Sequence, residues 1–126
     1  MTNQELLKSA TALLNENCAN VPEDYCDRAV YILGQFYSEH ESLDNRYRKA
    51  HGLTENEAPV PVVAELEAEF AFVPALAPAA IYYLAAMLVM DENEDLGDKL
   101  FALHADALST VKASLPFTKE KIKNVY

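Results

Sequence analysis

The strongest constraint on the fold is the order of apolar and charged residues in one stretch, AAIYYLAAMLVMDENEDLGDKLFALHADAL, which covers residues 79–108. Its first twelve residues carry no charge, the next five include four carboxylates, and apolar residues then recur at helical spacing. A helix over about residues 78–90, a polar corner and a second helix over about 94–114 account for this order. We therefore predict an antiparallel helix hairpin. Its second helix is expected to bury Leu96, Leu100, Leu103, Ala107 and Val111.

Two further helices are predicted before this hairpin. Thr2 and Glu5 have the spacing of a capping box, and apolar residues at helical spacing follow over about residues 3–16. Pro22 suits the first turn of another helix, whose apolar face continues to near His51, where Gly52 can end it in the left-handed conformation. Such a helix is about 40 Å long. The predicted fold class is all-α, a small bundle of about four helices.

Residues 53–77 have a different character and predict an extended, Pro-rich arm. Four prolines at positions 59, 61, 74 and 78 interrupt any helix in or just after it, and the segment ELEAEFAF alternates between charged and apolar residues. In an edge strand Glu65, Glu67 and Glu69 would face water. The residues expected to face the core are then Leu66, Ala68, Phe70 and Phe72. A short helix from Val62 to Phe70 is the competing interpretation, because Ala, Glu and Leu favour helix.

Length and charge limit the classes of function. A chain of 126 residues suits a single helical domain, which we place at residues 1–116 with a C-terminal tail at 117–126. The net charge of -10 repels phosphate backbones and anionic lipids, which disfavours conventional DNA binding or a membrane-surface role. Cys18 and Cys26 form no CxxC pattern, and the first ten residues contain no apolar signal segment. A reducing cytoplasm is therefore expected.

The same part of the sequence raises two alternatives, a transmembrane helix and a calcium-binding loop. Residues 70–90 carry no charge, but Pro74 and Pro78 leave only about a dozen residues of uninterrupted helix, so a soluble core helix is favoured over a transmembrane one. The corner from Asp91 to Asp95 resembles the start of an EF-hand loop. Its sixth position is Leu96, where the loop needs Gly, and its twelfth is an alanine. Carboxylates that offset a helix dipole explain this corner better.

No catalytic, metal-ligating or cofactor-binding residue is predicted, so we expect a protein that is not an enzyme and uses no cofactor. His40, His51 and His104 lack both the HExxH and the ExxH spacing of metal sites. Only three glycines occur, which is too few for a phosphate-binding or dinucleotide-binding loop. His40 can pair with Asp44 one turn along a helix, a contact that usually lies at the surface.

Aromatic residues suggest a subunit interface. Adjacent tyrosines on one helix point to different sides, so Tyr82 and Tyr83 cannot both lie in the core with buried, unpaired hydroxyls. The candidate interface residues are Tyr82, Tyr83, Phe70 and Phe72. A tyrosine with its hydroxyl at the edge of the core is the simpler alternative for either position.

The C-terminal tail combines positive charge with large apolar residues. Residues 112–126 contain four lysines and one glutamate, although the chain as a whole is acidic. A fully solvated tail rarely needs several large apolar residues, so docking onto another surface is one interpretation. A frayed terminus is the other.

The segment FAFVPALAPAAIYYLAAMLVMDENEDLGDKLFALHADALSTVKASLP, residues 70–116, resembles the C-terminal half of head-tail connector proteins of tailed bacteriophages, the adaptor or head-completion family. Members show a short apolar lead with proline, a helix that ends in an acidic corner, and a final helix with regularly spaced apolar residues. The resemblance implies a structural subunit that forms a ring, commonly dodecameric. Such a ring docks onto the portal protein and links it to the next neck or tail protein.

The same resemblance implies a location in the virion neck, and in the host cytoplasm during assembly, with DNA passing through an acidic channel without specific binding. By analogy the tail reaches the portal through Phe117, Lys119, Lys121, Ile122, Lys123, Val125 and Tyr126. The Pro-rich arm is expected to reach a neighbouring subunit. The alternative function is a small helical regulatory module that binds a partner peptide between helices and has no virion role. A metal-dependent enzyme is least favoured.

Overall fold

The computed structural model describes residues 1–14 and 21–116, and four α-helices account for most of them. In chain order they are α1 (Asn3–Leu13), α2 (Glu23–Ala50), α3 (Ala77–Val89) and α4 (Glu94–Ala113). The predicted all-α bundle is confirmed, and the boundaries of α2, α3 and α4 lie within one residue of the predicted ones. Helix α1 ends three residues earlier than predicted. Cys18 and the tail residues 117–126, with the portal-docking prediction made for them, lie outside the described residues.

The α3–α4 hairpin is built as its sequence indicates. Helix α3 is almost entirely apolar and packs against the other three helices, which makes it the centre of the bundle. The Asn93 side chain caps α4 by accepting a hydrogen bond from the Leu96 backbone nitrogen at 3.1 Å. Glu94 and Asp95 lie in the first turn of α4, where their charge offsets the positive end of the helix dipole.

One predicted core position of α4 is wrong. Leu103 is 44% exposed, and the neighbouring His104 turns inward instead. Both positions lie about one turn after Leu100, so helical spacing alone does not separate them. His104 is held inside because its Nδ1 forms a hydrogen bond of 2.9 Å with the backbone carbonyl of Ala79 on α3.

The arm, residues 53–73 between α2 and the 3-10 turn Pro74–Leu76, forms neither the predicted edge strand nor the alternative helix. Within the described residues its only β-type pairing is an isolated antiparallel bridge between Thr2 and Glu69. Ala68 is exposed, against the prediction, whereas the three glutamates face water as expected. The arm is irregular because its backbone groups bond to the first turn of α1.

Two of these bonds complete the end of α1. The backbone nitrogens of Asn3 and Gln4 donate to the carbonyls of Ala68 and Leu66, each at 2.9 Å. The first N–H groups of a helix have no partner within it, and here the arm supplies the acceptors. The Thr2–Glu5 capping box satisfies others, as predicted from the sequence.

A buried carboxylate fastens the other end of the arm to α2. Asp44 is 0% exposed; its Oδ1 accepts from the Val73 backbone nitrogen at 2.8 Å, and its Oδ2 accepts from Arg48 Nε at 2.9 Å and from Asn56 Nδ2 at 3.0 Å. The predicted surface pair of His40 with Asp44 is therefore wrong. The arm lies bound along its own body through these bonds, and its expected contact with a neighbouring subunit stays a prediction.

Candidate interaction surfaces

Three of the four predicted interface residues, Phe70, Phe72 and Tyr82, line one apolar surface. A depression of about 500 Å³ is lined by Phe70, Phe72, Pro78 and Ile81 together with Met1, Glu69, Pro74 and Ala77. A smaller one of about 190 Å³ is lined by Ser9, Leu13, Pro78, Ile81 and Tyr82. Because the two depressions share Pro78 and Ile81, they form one continuous area. We call it the Pro78 surface.

The structure divides the four aromatic candidates. Phe70 and Tyr82 are partly exposed and lie on either side of the shared residues Pro78 and Ile81. Tyr83 and Phe72 are buried, and both rings pack against Phe36 in the core. The prediction that the two adjacent tyrosines face different sides is therefore confirmed. Tyr83 and most of Phe72 are unavailable to a second copy in this conformation, so an interface role stays a prediction for Phe70 and Tyr82.

A second surface, which sequence reasoning did not find, is the groove between α2 and the arm. This α2–arm groove encloses about 710 Å³ and is lined by Cys26, Asp27, Val30, Tyr31, Val63, Ala64, Glu65, Leu66 and Glu67. Tyr31 is 64% exposed, and Val62 beside the groove is 78% exposed. The signal in the sequence was the adjacent apolar pair Val62 and Val63 within an acidic arm. Where this pair lies relative to α2 depends on the fold.

The arm approaches α2 closely beside this groove. The Ala64 backbone nitrogen donates to the Val30 carbonyl at 2.9 Å. A Cβ atom at Gly34 would lie only 1.8 Å from the Val62 carbonyl oxygen, so a side chain at that position does not fit. Gly34 therefore permits the contact that forms the groove wall.

A compact aromatic and histidine cluster lies where α2, α3 and α4 meet. The ring of His40 is 4.7 Å from Phe36 and 5.7 Å from His104, measured between centroids, and Tyr83 is 5.1 Å from His104. His40 Nε2 is buried and has no hydrogen-bond partner within the described residues. Burial, followed by the neighbouring His104, lowers the pKa of His40 below its ordinary value of 6.5, and burial raises the pKa of Tyr83 to about 12.

The described residues were also compared with two other kinds of site, a metal centre and a bilayer-spanning helix. Within residues 1–14 and 21–116, no group of three or more His, Cys, Asp or Glu side chains is arranged to hold a metal ion. In the same part of the chain, no helix is both long and apolar enough to cross a bilayer. The buried Asp44 bonds to the partly exposed Arg48 and Asn56 and to the Val73 backbone, which is a structural role.

Asp44 was missed at the sequence level although a signal for it exists. It lies seven residues after Tyr37 and four after His40, which places a carboxylate on the buried face of α2. A buried carboxylate needs hydrogen-bond donors, and the nearby Arg48 is one. The remaining donors come from the arm and could not be assigned from spacing.

Comparison of the chain with protein-family models, with curated proteins and with solved structures finds no match. A functional hypothesis therefore depends on the two surfaces described above and on the resemblance seen in the sequence.

Proposed function

We propose that this chain is a structural subunit, not an enzyme, that assembles with copies of itself through the Pro78 surface and joins larger proteins. Following the resemblance in residues 70–116, the assembly is a ring at the neck of a tailed phage, formed in the host cytoplasm. It docks onto the portal and links it to the next neck or tail protein. Neither a cofactor nor a metal takes part.

The observation that carries this proposal is the continuity of the Pro78 surface. Phe70 comes from the arm and Tyr82 from α3, and the fold brings them to one area through Pro78 and Ile81. The partly exposed Leu13 of α1 extends the same area. Contiguous apolar surface of this kind on a small protein commonly marks a contact with another protein.

Charge agrees with a channel role. The chain carries a net charge of -10, and the α3–α4 corner exposes Asp91, Glu92, Glu94 and Asp95. A ring of such bodies presents like charge to a DNA duplex, so that the duplex passes through without adhering.

Native mass spectrometry of the purified full chain tests self-association. We expect an assembly of several copies, and we expect Tyr82→Glu to shift it to monomer because a carboxylate then has to be desolvated within the contact. Leu103→Glu is the matched control, since Leu103 is an exposed apolar residue of α4 outside the Pro78 surface. A native chain that stays monomeric at high micromolar concentration, or equal effects of both variants, would contradict the proposal.

The connector role needs a second measurement. The chain is mixed with the portal protein of the same phage, and we expect a complex of defined stoichiometry. Removal of residues 117–126 is expected to abolish that complex while circular dichroism shows an intact body. If the truncated chain binds the portal equally well, the assignment of the tail is wrong.

A second candidate function is a regulatory module that binds a peptide. The observation in its favour is the α2–arm groove, which is open, partly apolar and acidic. A chain that remains monomeric, ignores the portal and captures a foreign peptide in this groove would have this function.

A further inference from the structure

We propose that the α2–arm groove receives the C-terminal tail, residues 117–126, of a neighbouring copy of this chain. Tail docking of this kind presupposes the self-association proposed above and supplies a second contact between neighbours. Before a portal is present, the groove is then the partner of the tail.

The lining of the groove defines the chemistry of its occupant. Three carboxylates, those of Asp27, Glu65 and Glu67, lie around it, and none of its lining residues is basic. Between them Tyr31 presents a largely exposed ring, and Val63 is an exposed apolar side chain. A segment that combines positive charge with large apolar side chains matches both features.

The tail has this composition. Residues 117–126 contain three lysines, at 119, 121 and 123, against the single acid Glu120. Apolar residues are interleaved with them: Phe117, Ile122, Val125 and Tyr126. Attraction between the lysines and the groove carboxylates would guide the approach, and the apolar residues would supply buried anchors.

The distance along α2 favours the tail of a neighbour over the chain's own tail. Leu115 and Pro116 lie beside Arg46 and Lys49, near the C-terminal end of α2. The groove lies at residues 26–31 of α2, so about 27–35 Å of helix separates it from Lys49 at 1.5 Å per residue. Ten residues span at most about 36 Å when fully extended. The chain's own tail would therefore reach the groove only when stretched, with few residues left to bind.

A labelled peptide tests the contact in the full-length protein. The probe is a fluorescein-labelled peptide of residues 117–126, and the receptor is the full chain carrying Lys121→Glu and Lys123→Glu, which leaves its groove unoccupied. We expect saturable binding in fluorescence anisotropy. Adding Glu65→Lys and Glu67→Lys to the receptor should weaken it by about tenfold or more, because two attractions become repulsions.

Glu55→Lys with Glu57→Lys is the matched control. It has the same spacing, the same change of charge and the same exposed arm, but it lies outside the groove. We expect this control to weaken binding by no more than about twofold, since only long-range screened charge is altered. No saturable binding, or equal losses in both double variants with native circular dichroism, would overturn the proposal.

The choice between a neighbour's tail and the chain's own tail is settled by dilution. At nanomolar concentration the native chain should bind the peptide as tightly as the receptor that carries Lys121→Glu and Lys123→Glu, because the groove of the native chain is then empty. Much weaker binding by the native chain would mean that its own tail fills the groove, which overturns the assignment to a neighbour. The native mass of the chain carrying Lys121→Glu and Lys123→Glu reports self-association through the Pro78 surface alone. The two contacts can therefore fail independently.

Discussion

The carboxylate of Asp44 lies 2.8 Å from the backbone nitrogen of Val73, twenty-nine residues later in the chain, and joins the end of the arm to the C-terminal part of α2. The same carboxylate accepts hydrogen bonds from Arg48 and Asn56. One buried side chain thus positions both the arm, which forms a wall of the α2–arm groove, and the apolar lead into α3. Both candidate interaction surfaces depend on it.

Replacement of Asp44 should be strongly destabilising. Asp44→Ala leaves the Val73 nitrogen without its acceptor and removes the counter-charge of Arg48, so we expect a loss of about 3–5 kcal/mol in the free energy of unfolding. Asp24→Ala is the matched control, because Asp24 forms the same i,i+4 pair with Arg28 on the same helix but is 74% exposed. That variant should lose less than about 1 kcal/mol. Urea denaturation measures both, and similar losses would contradict the role of Asp44.

The hydroxyl of Tyr37 provides a second test of how the arm is held. It donates to Asn3 Oδ1 at 2.7 Å and accepts from the Ala71 backbone nitrogen at 3.1 Å. Tyr37→Phe keeps the ring but leaves both groups without their partner, so we expect a loss of about 1–3 kcal/mol. Tyr31→Phe, on the exposed side of the same helix, should have no measurable effect on thermal unfolding. Equal melting temperatures for the two variants would show that the hydroxyl is not needed.

Stability should fall in mild acid because of His40. Burial and His104 lower its pKa below 6.5 in the folded state, so the unfolded chain takes up the proton more readily. The stabilisation from neutral His40 is therefore complete above pH 6.5 and is lost as the pH falls from 6.5 towards the lowered folded value. The slope is at most about 1.4 kcal/mol per pH unit. The charged and titratable groups that act on the ring are His104 and Lys112 on α4 and Glu39 on α2.

Urea denaturation at pH 7.5 and pH 5.5 measures this effect. His40→Gln should flatten the difference between the two pH values relative to the native chain. His51→Gln is the control, because His51 is exposed and stacks on Tyr47 at the end of α2. If the native chain and His40→Gln lose equal stability between these pH values, other groups cause the acid sensitivity.

Local sequence signals allowed the helices to be predicted, whereas contacts between residues far apart in the sequence could not be predicted. The Thr2–Glu5 box and the Asn93 corner each act within a few residues, so their positions could be deduced from spacing. The arm's path depends on bonds such as Asn3 Nδ2 to the Glu65 carbonyl, which join residues 62 positions apart. No periodicity encodes such a pair.

The candidate surfaces were likewise predictable only in part. Phe70 and Tyr82 could be chosen as interface residues from their size and spacing, but their union through Pro78 and Ile81 appears only in the folded chain. The α2–arm groove could not be predicted at all, since the sequence favoured an edge strand or a helix for the segment that forms its wall.

Gly34 should resist replacement although it lies in the middle of a helix. Alanine at such a position usually stabilises by about 1 kcal/mol, but here its Cβ would lie 1.8 Å from the Val62 carbonyl oxygen, a backbone atom. We expect Gly34→Ala to displace the arm and to destabilise the fold by about 2 kcal/mol net. In Gly97→Ala the nearest atoms belong to the flexible end of Met90, so the net change should stay within about 1 kcal/mol. Urea denaturation compares the two, and a Gly34→Ala chain as stable as the native one would show that the arm does not rest on α2 at this point.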